Sequence, residues 1–377
     1  MATRTDQAPQ PKNDVPVIES VEVSAYTIPT DKPESDGTLE WDQTTLVLVQ
    51  ARAGGKTGIG YTYTHPAAVE VIRGKLAGVV GGMDALRVGA AWSAQWRAVR
   101  NFGQSGLVAM AISAVDNALW ELKAKLLDVA LVDAFDAVHD ATPIYGSGGF
   151  CTYTDEELSG QLAGWAEQGI PRVKMKTAAD PDRDRHRLEV ARKAIGDDVE
   201  LFVDANGAFT RAEALRWAEI YAEYDVRWFE EPVSSDDLAG LHLVRDRAPG
   251  GMDVAAGEYG WKLPYFQNML DAEAVDCLQV DVTRCGGISG FLRASALCDA
   301  RSMDLSAHCA PQISAHACTG AWHLRHLEYF HDHDRIEHLV FDGCLEPEPG
   351  GLLRPDRSRA GIGLAVKWPD IEQWKVA

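Results

Sequence analysis

The chain has 377 residues, 46% of them hydrophobic, with 34 glycines, which is the composition of an ordinary globular protein long enough for a barrel plus a smaller domain. A formal net charge of −20 argues against nucleic acid and anionic membrane as partners. No run of about 18 apolar residues exists to span a membrane, and seven cysteines without a CxxC pair suggest reduced thiols in a cytoplasm, packed as small buried hydrophobes.

Residues 1–16, MATRTDQAPQPKNDVP, are polar and proline-containing and are expected to form a disordered tail, without the apolar centre of a signal peptide. From Val17, VIESVEVSAYTIP and TTLVLVQARA alternate apolar and polar residues, predicting two strands joined by the loop DKPESDGTLEWDQ. GKTGIGYTYTHP adds a turn and a third strand. Helix is expected from Pro66 to Leu127, most clearly in GLVAMAISAVDNALWELKAKLL, where apolar residues recur at three- and four-residue steps. Residues 17–140 thus read as one α+β module.

Over residues 141–350 strand and helix alternate. The predicted strands are IYGSGGF, PRVKMK, VELFVDAN, VRWFEEP, MDVAAGE, DCLQVDVTR, DLSAHCA and HLEYF, with an apolar helix running to His326 before the last. Eight strands at this spacing imply a parallel sheet closed into an α/β TIM-type barrel. The final segment, 351–377, reads as loop with one short strand and is expected to return to the first module.

The polar residues at the strand ends carry the chemistry. Asp204, Glu230 and Glu258 each end an apolar run, one strand–helix unit apart. A barrel gathers such residues at one mouth. Three oxygen ligands without His or Cys favour Mg²⁺, or Mn²⁺, over zinc. Such a metal would make a bound carboxylate more acidic at its α-carbon. Lys174 and Lys176 share one face of their strand. Two ammonium groups together are expected to lower one pKa, leaving Lys176 as a general base and Lys174 as the cation that holds a substrate carboxylate. Asp281 and His308 lie on the sixth and seventh strands, within reach for the carboxylate to fix the imidazole tautomer. His316 is expected to pack or cap, and the HDHDR run at 331–335 to be a solvated loop.

The stretches VKMK, VDANGAF, WFEEP, AAGE, QVDVTRCGGISG and SAHCAPQISAH followed by HLEYF together resemble the enolase superfamily, mandelate racemase subgroup, over nearly the whole chain beyond the tail. The resemblance implies a modified (β/α)7β barrel under an N-terminal α+β capping domain completed by the C-terminal segment. It implies one Mg²⁺ on Asp204, Glu230 and Glu258, with Lys176 as base on one substrate face and the His308–Asp281 dyad on the other. It also implies Glu328 as an acid that hydrogen-bonds the substrate carboxylate and developing enediolate, and Asn206 as a contact near the metal. The histidine on the seventh strand separates the chain from the muconate-cycloisomerase-like branch. Leu127 to Ala130 depart from the subgroup's usual Gly-x-Pro helix end, and the glycine pair expected before the barrel is absent, which touches a connection and not the chemistry.

In such folds the capping loops select the substrate, which here makes Trp41, Tyr61, Tyr63 and His65 candidate pocket residues and suggests a polar polyol. The expected reaction is dehydration of a sugar acid to a 2-keto-3-deoxy acid. The alternatives are a racemase or epimerase using the same Lys176 and His308, and, more remotely, a catalytically silent binding protein. The resemblance further suggests a homo-oligomer, octamer or dimer, acting on a small-molecule carboxylate.

Overall fold

The computed structural model describes residues 15–377, so the expected tail lies almost wholly outside the described residues. Pro16 is already tied in, its carbonyl accepting from Ala85 N at 2.9 Å. Three antiparallel strands open the fold: β1 (Ser20–Ser35), β2 (Glu40–Ala53) and β3 (Lys56–Tyr63). Gly54 and Gly55 join β2 to β3 with φ of 53° and 74°, the pair of left-handed residues that a two-residue hairpin turn needs.

The loop expected between β1 and β2 is mostly strand. Pairing continues outward to Ser35↔Glu40, with a register shift between Pro29 and Glu34. Proline has no N–H to give the ladder, so the shift falls where a donor is missing. Only the tip turns, where Asp36 Oδ1 accepts from Thr38 N at 2.6 Å and Leu39 N at 2.7 Å.

The capping sheet packs on the helix Leu107–Leu127 through close backbone approach. A Cβ added at Gly60 would lie 2.2 Å from Ala118 N, and one at Gly58 2.3 Å from Ala118 O. Glycine on the strand facing alanine on the helix is what permits this contact. At the helix end Asp128 takes the left-handed conformation, φ 55°.

Eight parallel strands follow: β4 (Thr142–Gly148), β5 (Arg172–Lys176), β6 (Glu200–Asp204), β7 (Val226–Glu230), β8 (Asp253–Ala256), β9 (Cys277–Val280), β10 (Asp304–Ala307) and β11 (Leu324–Phe330). They pair in chain order and close through β11 and β4. Helices cover the outside. Those at Asp155–Glu167 and Arg211–Glu223 start with reciprocal capping boxes, Thr154 with Glu157 and Thr210 with Glu213. Strand alternation sends Val173 and Met175 outward to this helical layer, and Lys174 and Lys176 inward. Tyr145, Phe202 and Trp228 fill the barrel, the last two stacked with centroids 5.5 Å apart.

The helix expected to run to His326 is shorter. It spans Pro311–Cys318 and stops at Thr319–Gly320, where the Thr319 hydroxyl bonds back to His316 O at 2.7 Å. The C-terminal segment touches both parts of the fold: Leu352–Leu353 pairs antiparallel with β4, and Val376 N donates to Ala25 O at 2.8 Å. Among the described residues no helix is long and apolar enough to cross a membrane.

Candidate active site

Register places the first acids side by side. Lys176 pairs with Asp204 and Asp204 with Glu230, each at the last position of its strand. Asp281 and His308 follow directly after β9 and β10, Glu258 follows β8 after Gly257, and Glu328 lies within β11. All of them gather at the C-terminal mouth of the barrel, as parallel strands of one polarity require.

Asp204, Glu230 and Glu258 are buried, and each offers an oxygen within 4.8 Å of the others. Burial and the charge of Asp204 push the Glu230 carboxyl up to about 8. Burial also drives Glu231 well up, with Glu258 and Asp204 adding to it. Around the triad, Glu231 Oε1 and Asn206 Oδ1 are buried acceptors without a hydrogen-bond partner. An excess of buried oxygen lone pairs is the condition that a hard cation relieves. The donor set fits Mg²⁺.

Both lysines are bound up with these acids. Lys174 Nζ lies 2.6 Å from Glu230 Oε1, 2.7 Å from Glu328 Oε1 and 3.5 Å from Asp204 Oδ2. Lys176 Nζ lies 2.5 Å from Asp204 Oδ2. The expectation of a lowered lysine pKa is corrected here. Burial does push both ammonium groups down, and Lys174 pushes on Lys176, but the carboxylates outweigh these effects and hold both above their ordinary values. Lys174 is fully buried among Glu230, Glu328 and Asp204 and does not itself line the open cavity.

His308 Nδ1 and Asp281 Oδ2 are 2.7 Å apart, and Asp281 Oδ1 accepts from Thr283 N at 2.6 Å and Thr283 Oγ1 at 2.7 Å. This fixes the Nδ1–H tautomer and turns Nε2 toward the cavity. Burial would lower the imidazole, but Cys309, Glu258 and Glu328 hold it well above its ordinary value. Glu328 is likewise a carboxylate: burial would raise it, but Lys174 and His308 hold it far below the usual range. As an anion it accepts hydrogen bonds, so the donor role implied by the resemblance requires it to gain a proton first.

Lys176, His308, Glu258 and Glu328 open into a cavity of about 490 Å³ under the capping sheet. Trp41, Tyr63, His65 and Asn206 line it. Trp41 is fixed by a 2.8 Å bond from its indole to Glu34. Tyr61 does not line it, a correction with a plain cause: its hydroxyl is buried between the barrel helices, 2.6 Å from Glu337 Oε1. The HDHDR run is also corrected. It begins the helix His331–Val340 directly after β11, and His333 is buried, stacked on Tyr63 at 3.5 Å and facing the cavity. Its burial lowers its pKa to about 3. His316 is buried and bonds Gln312 O at 2.8 Å.

Four residues at the site were not singled out as candidates from sequence. Arg284 bridges Glu258 Oε1 at 3.1 Å and Asp281 Oδ2 at 3.3 Å. Glu231 is the second acid of WFEEP. Cys309 sits beside His308, and His333 faces Tyr63. For His333 a signal existed: Asp332, His333, Ile336, Glu337 and Val340, its buried residues, fall on one face of a helix.

Residues 22–135 match the family described as mandelate racemase / muconate lactonizing enzyme, N-terminal domain, and residues 157–371 match the one described as enolase C-terminal domain-like. The chain is 30% identical over 362 residues to a 3,6-anhydro-α-L-galactonate cycloisomerase of Streptomyces coelicolor, covering 92% of this chain and 97% of that protein. It is 27% identical over 374 residues to an L-talarate/galactarate dehydratase of Salmonella typhimurium, covering 94% and 91%. Among solved structures, a mandelate racemase/muconate lactonizing enzyme-like protein of Rubrobacter xylanophilus is 54% identical with a TM-score of 0.94, covering 96% of this chain and all of that one. A racemase of S. coelicolor with bound magnesium is 29% identical with a TM-score of 0.89, at 96% and 100% coverage.

Proposed function

The chain belongs to the mandelate racemase / muconate lactonizing enzyme family of the enolase superfamily, and from that premise we propose that it is a dehydratase of a sugar acid. Lys176 takes the proton α to the substrate carboxylate, giving an enediolate. The Cβ–OH bond then breaks, and the departing hydroxide leaves as water with a proton from the His308 imidazolium. The enol that remains tautomerises to a 2-keto-3-deoxy acid. When bound, Mg²⁺ on Asp204, Glu230 and Glu258 supplies positive charge that offsets the acids' field on the lysines and makes the α-proton more acidic. Asp281 keeps the imidazole oriented throughout.

The observation that carries this reading is the pair of carboxylate oxygens set against His308 Nε2. Glu258 Oε2 at 3.1 Å and Glu328 Oε2 at 3.3 Å favour the imidazolium, the form that donates to a leaving hydroxyl. Curated relatives with dehydratase and cycloisomerase activity support the reaction class and leave the substrate open. A second reading, racemase or epimerase, rests on the same two groups, since Lys176 and His308 reach the cavity from different sides of the strand ring.

The test is a library of mono- and diacid sugars, with anhydro sugar acids included, incubated with Mg²⁺ in D₂O and read by NMR. A 2-keto product from an open-chain sugar acid establishes the dehydratase and names its substrate. Deuteration or epimerisation at the α-carbon without keto product assigns the racemase instead. Turnover confined to an anhydro sugar acid assigns a cycloisomerase.

A further inference from the structure

Beside the oxygen triad lies a second ligand set of different chemistry. His308 Nε2, Cys309 Sγ and Glu328 Oε2 form a triangle with each side 3.3 Å. The three residues are 4%, 3% and 0% exposed, and all line the cavity. We propose that these atoms form a second metal site, for Zn²⁺ or another borderline divalent cation, with its fourth position open to the cavity.

The dimensions fit. Zinc–nitrogen, zinc–sulfur and zinc–oxygen bonds of about 2.0, 2.3 and 2.1 Å around a tetrahedral centre put ligand atoms about 3.4–3.6 Å apart. The ion therefore enters with shifts of only a few tenths of an ångström. Two of the three ligands are already turned toward it by a second bond. His308 Nδ1 is held by Asp281 at 2.7 Å, the carboxylate–histidine pairing that supports metal ligation. Glu328 Oε1 is occupied by Lys174 at 2.7 Å and the Ser147 hydroxyl at 2.6 Å, which leaves Oε2 to face Cys309 and His308. Cys309 and Ala310 both hold left-handed backbone, φ 50° and 45°, a strained pair for residues with a Cβ.

The Cys309 thiol donates to Glu328 Oε2 at 3.3 Å, yet sulfur is a weak donor and the acceptors still crowd the imidazole. His308 Nε2 faces three electron-pair donors: Cys309 Sγ, Glu328 Oε2 and Glu258 Oε2, the last at 3.1 Å. One ring nitrogen carries one hydrogen and satisfies one of them well. A cation resolves the surplus. On binding, the thiol proton of Cys309 and the Nε2 proton of the His308 imidazolium both pass to solvent, thiolate and carboxylate balance the two positive charges, and the imidazole ligates as the neutral ring; no electrons are transferred. The nitrogen and sulfur separate this site from the all-oxygen triad, so the two sort borderline from hard cations. Zinc bound here occupies the nitrogen that His308 would use in acid–base work, so the site is inhibitory.

The test uses the full chain with Mg²⁺ in large excess under reducing conditions, titrated with Co²⁺ as the spectroscopic stand-in for Zn²⁺. The expected result is thiolate-to-cobalt charge-transfer absorption saturating at one equivalent per chain and bleached by Zn²⁺. Cys309→Ala and Cys309→Ser lose the band and bind Zn²⁺ at least tenfold more weakly, whereas Cys151→Ser and Cys344→Ser retain it. The serine variant keeps the side-chain volume should the alanine variant fold poorly. Absence of the band, its persistence in both Cys309 variants, or Zn²⁺ uptake that only displaces Mg²⁺ one for one overturns the proposal. None of these readouts depends on the reaction assigned above.

Discussion

The Tyr61 hydroxyl lies 2.6 Å from Glu337 Oε1, joining the capping sheet to the last barrel helix inside a fully buried contact. The same oxygen accepts from Ile313 N at 3.2 Å, and Glu337 Oε2 accepts from Gln312 N at 3.0 Å. These bonds satisfy the start of the helix Pro311–Cys318, which begins three residues after His308. Tyr61→Phe keeps the ring and removes the hydroxyl. It leaves Glu337 Oε1 and the Ile313 amide without their partner, at a cost of about 1–3 kcal/mol. Urea denaturation measures this, and an unchanged midpoint would show that the contact carries no stability.

Glu337 also gives stability a pH dependence. Burial pushes its carboxyl up from 4.5 to about 8, with Tyr61 and the Gln312 amide opposing the rise. A group whose folded pKa is raised contributes stability that is full below the unfolded value and is lost as pH rises through the folded one. Native stability should therefore fall between about pH 4.5 and pH 8. Asp116, raised by burial to about 7, acts with the same sign. Glu34, Glu230 and Glu231, also raised by burial, add to it. Glu337→Gln removes its own share of the slope, so at pH 9 it should match or exceed the parent by on the order of 1–3 kcal/mol. Melting curves at pH 5 and pH 9 decide it, and an equally steep slope in the variant rules Glu337 out.

Lys174 offsets three acids from a fully buried position. Lys174→Met fills its volume and leaves Glu230, Glu328 and Asp204 facing one another. Breaking a buried charge cluster in this way costs about 3–5 kcal/mol. The loss should be partly restored by millimolar Mg²⁺, because a ligand that binds only the folded state stabilises it. A variant as stable as the parent in the presence of chelator contradicts this account of the lysine.

Much of the architecture was legible because it rests on periodicity. Strand runs ending in Asp204, Glu230 and Glu258 recur at one spacing, and parallel strands of one polarity must bring their ends together. What sequence missed depends on competition between neighbours. Two lysines on one strand predict mutual repulsion, yet Glu230, joined by Glu328 from the far end of the chain, reverses the balance at Lys174. Tyr61 and Tyr63 share a strand face, yet a partner 276 residues away turns the first into the interior while the second lines the cavity. His333 looked solvated because its neighbours are charged, but the helix that starts at His331 turns Asp334 and Arg335 away from the deepest burial and His333 into it.

Glu258 bridges the two halves of the site, with Oε1 3.1 Å from Arg284 and Oε2 3.1 Å from His308 Nε2. Glu258→Gln keeps the shape and removes one negative charge from the triad. Mg²⁺ affinity should fall by at least about tenfold in calorimetric titration. An unchanged affinity removes Glu258 from the metal set and with it the three-acid site.

Lys176 and His308 have separable roles that isotope exchange can tell apart. Lys176→Ala should abolish exchange of the α-proton with solvent deuterium for one α-configuration of substrate, because no other described lysine reaches the cavity. His308→Asn should behave differently. It removes the acid that protonates the leaving hydroxyl, so exchange at the Lys176 face should persist while keto product falls by about 10²–10⁴-fold. Loss of both signals in His308→Asn would assign the first proton abstraction to the imidazole. Exchange at the parent rate in Lys176→Ala would take the lysine out of the mechanism. The two variants together fix which face of the substrate each group serves.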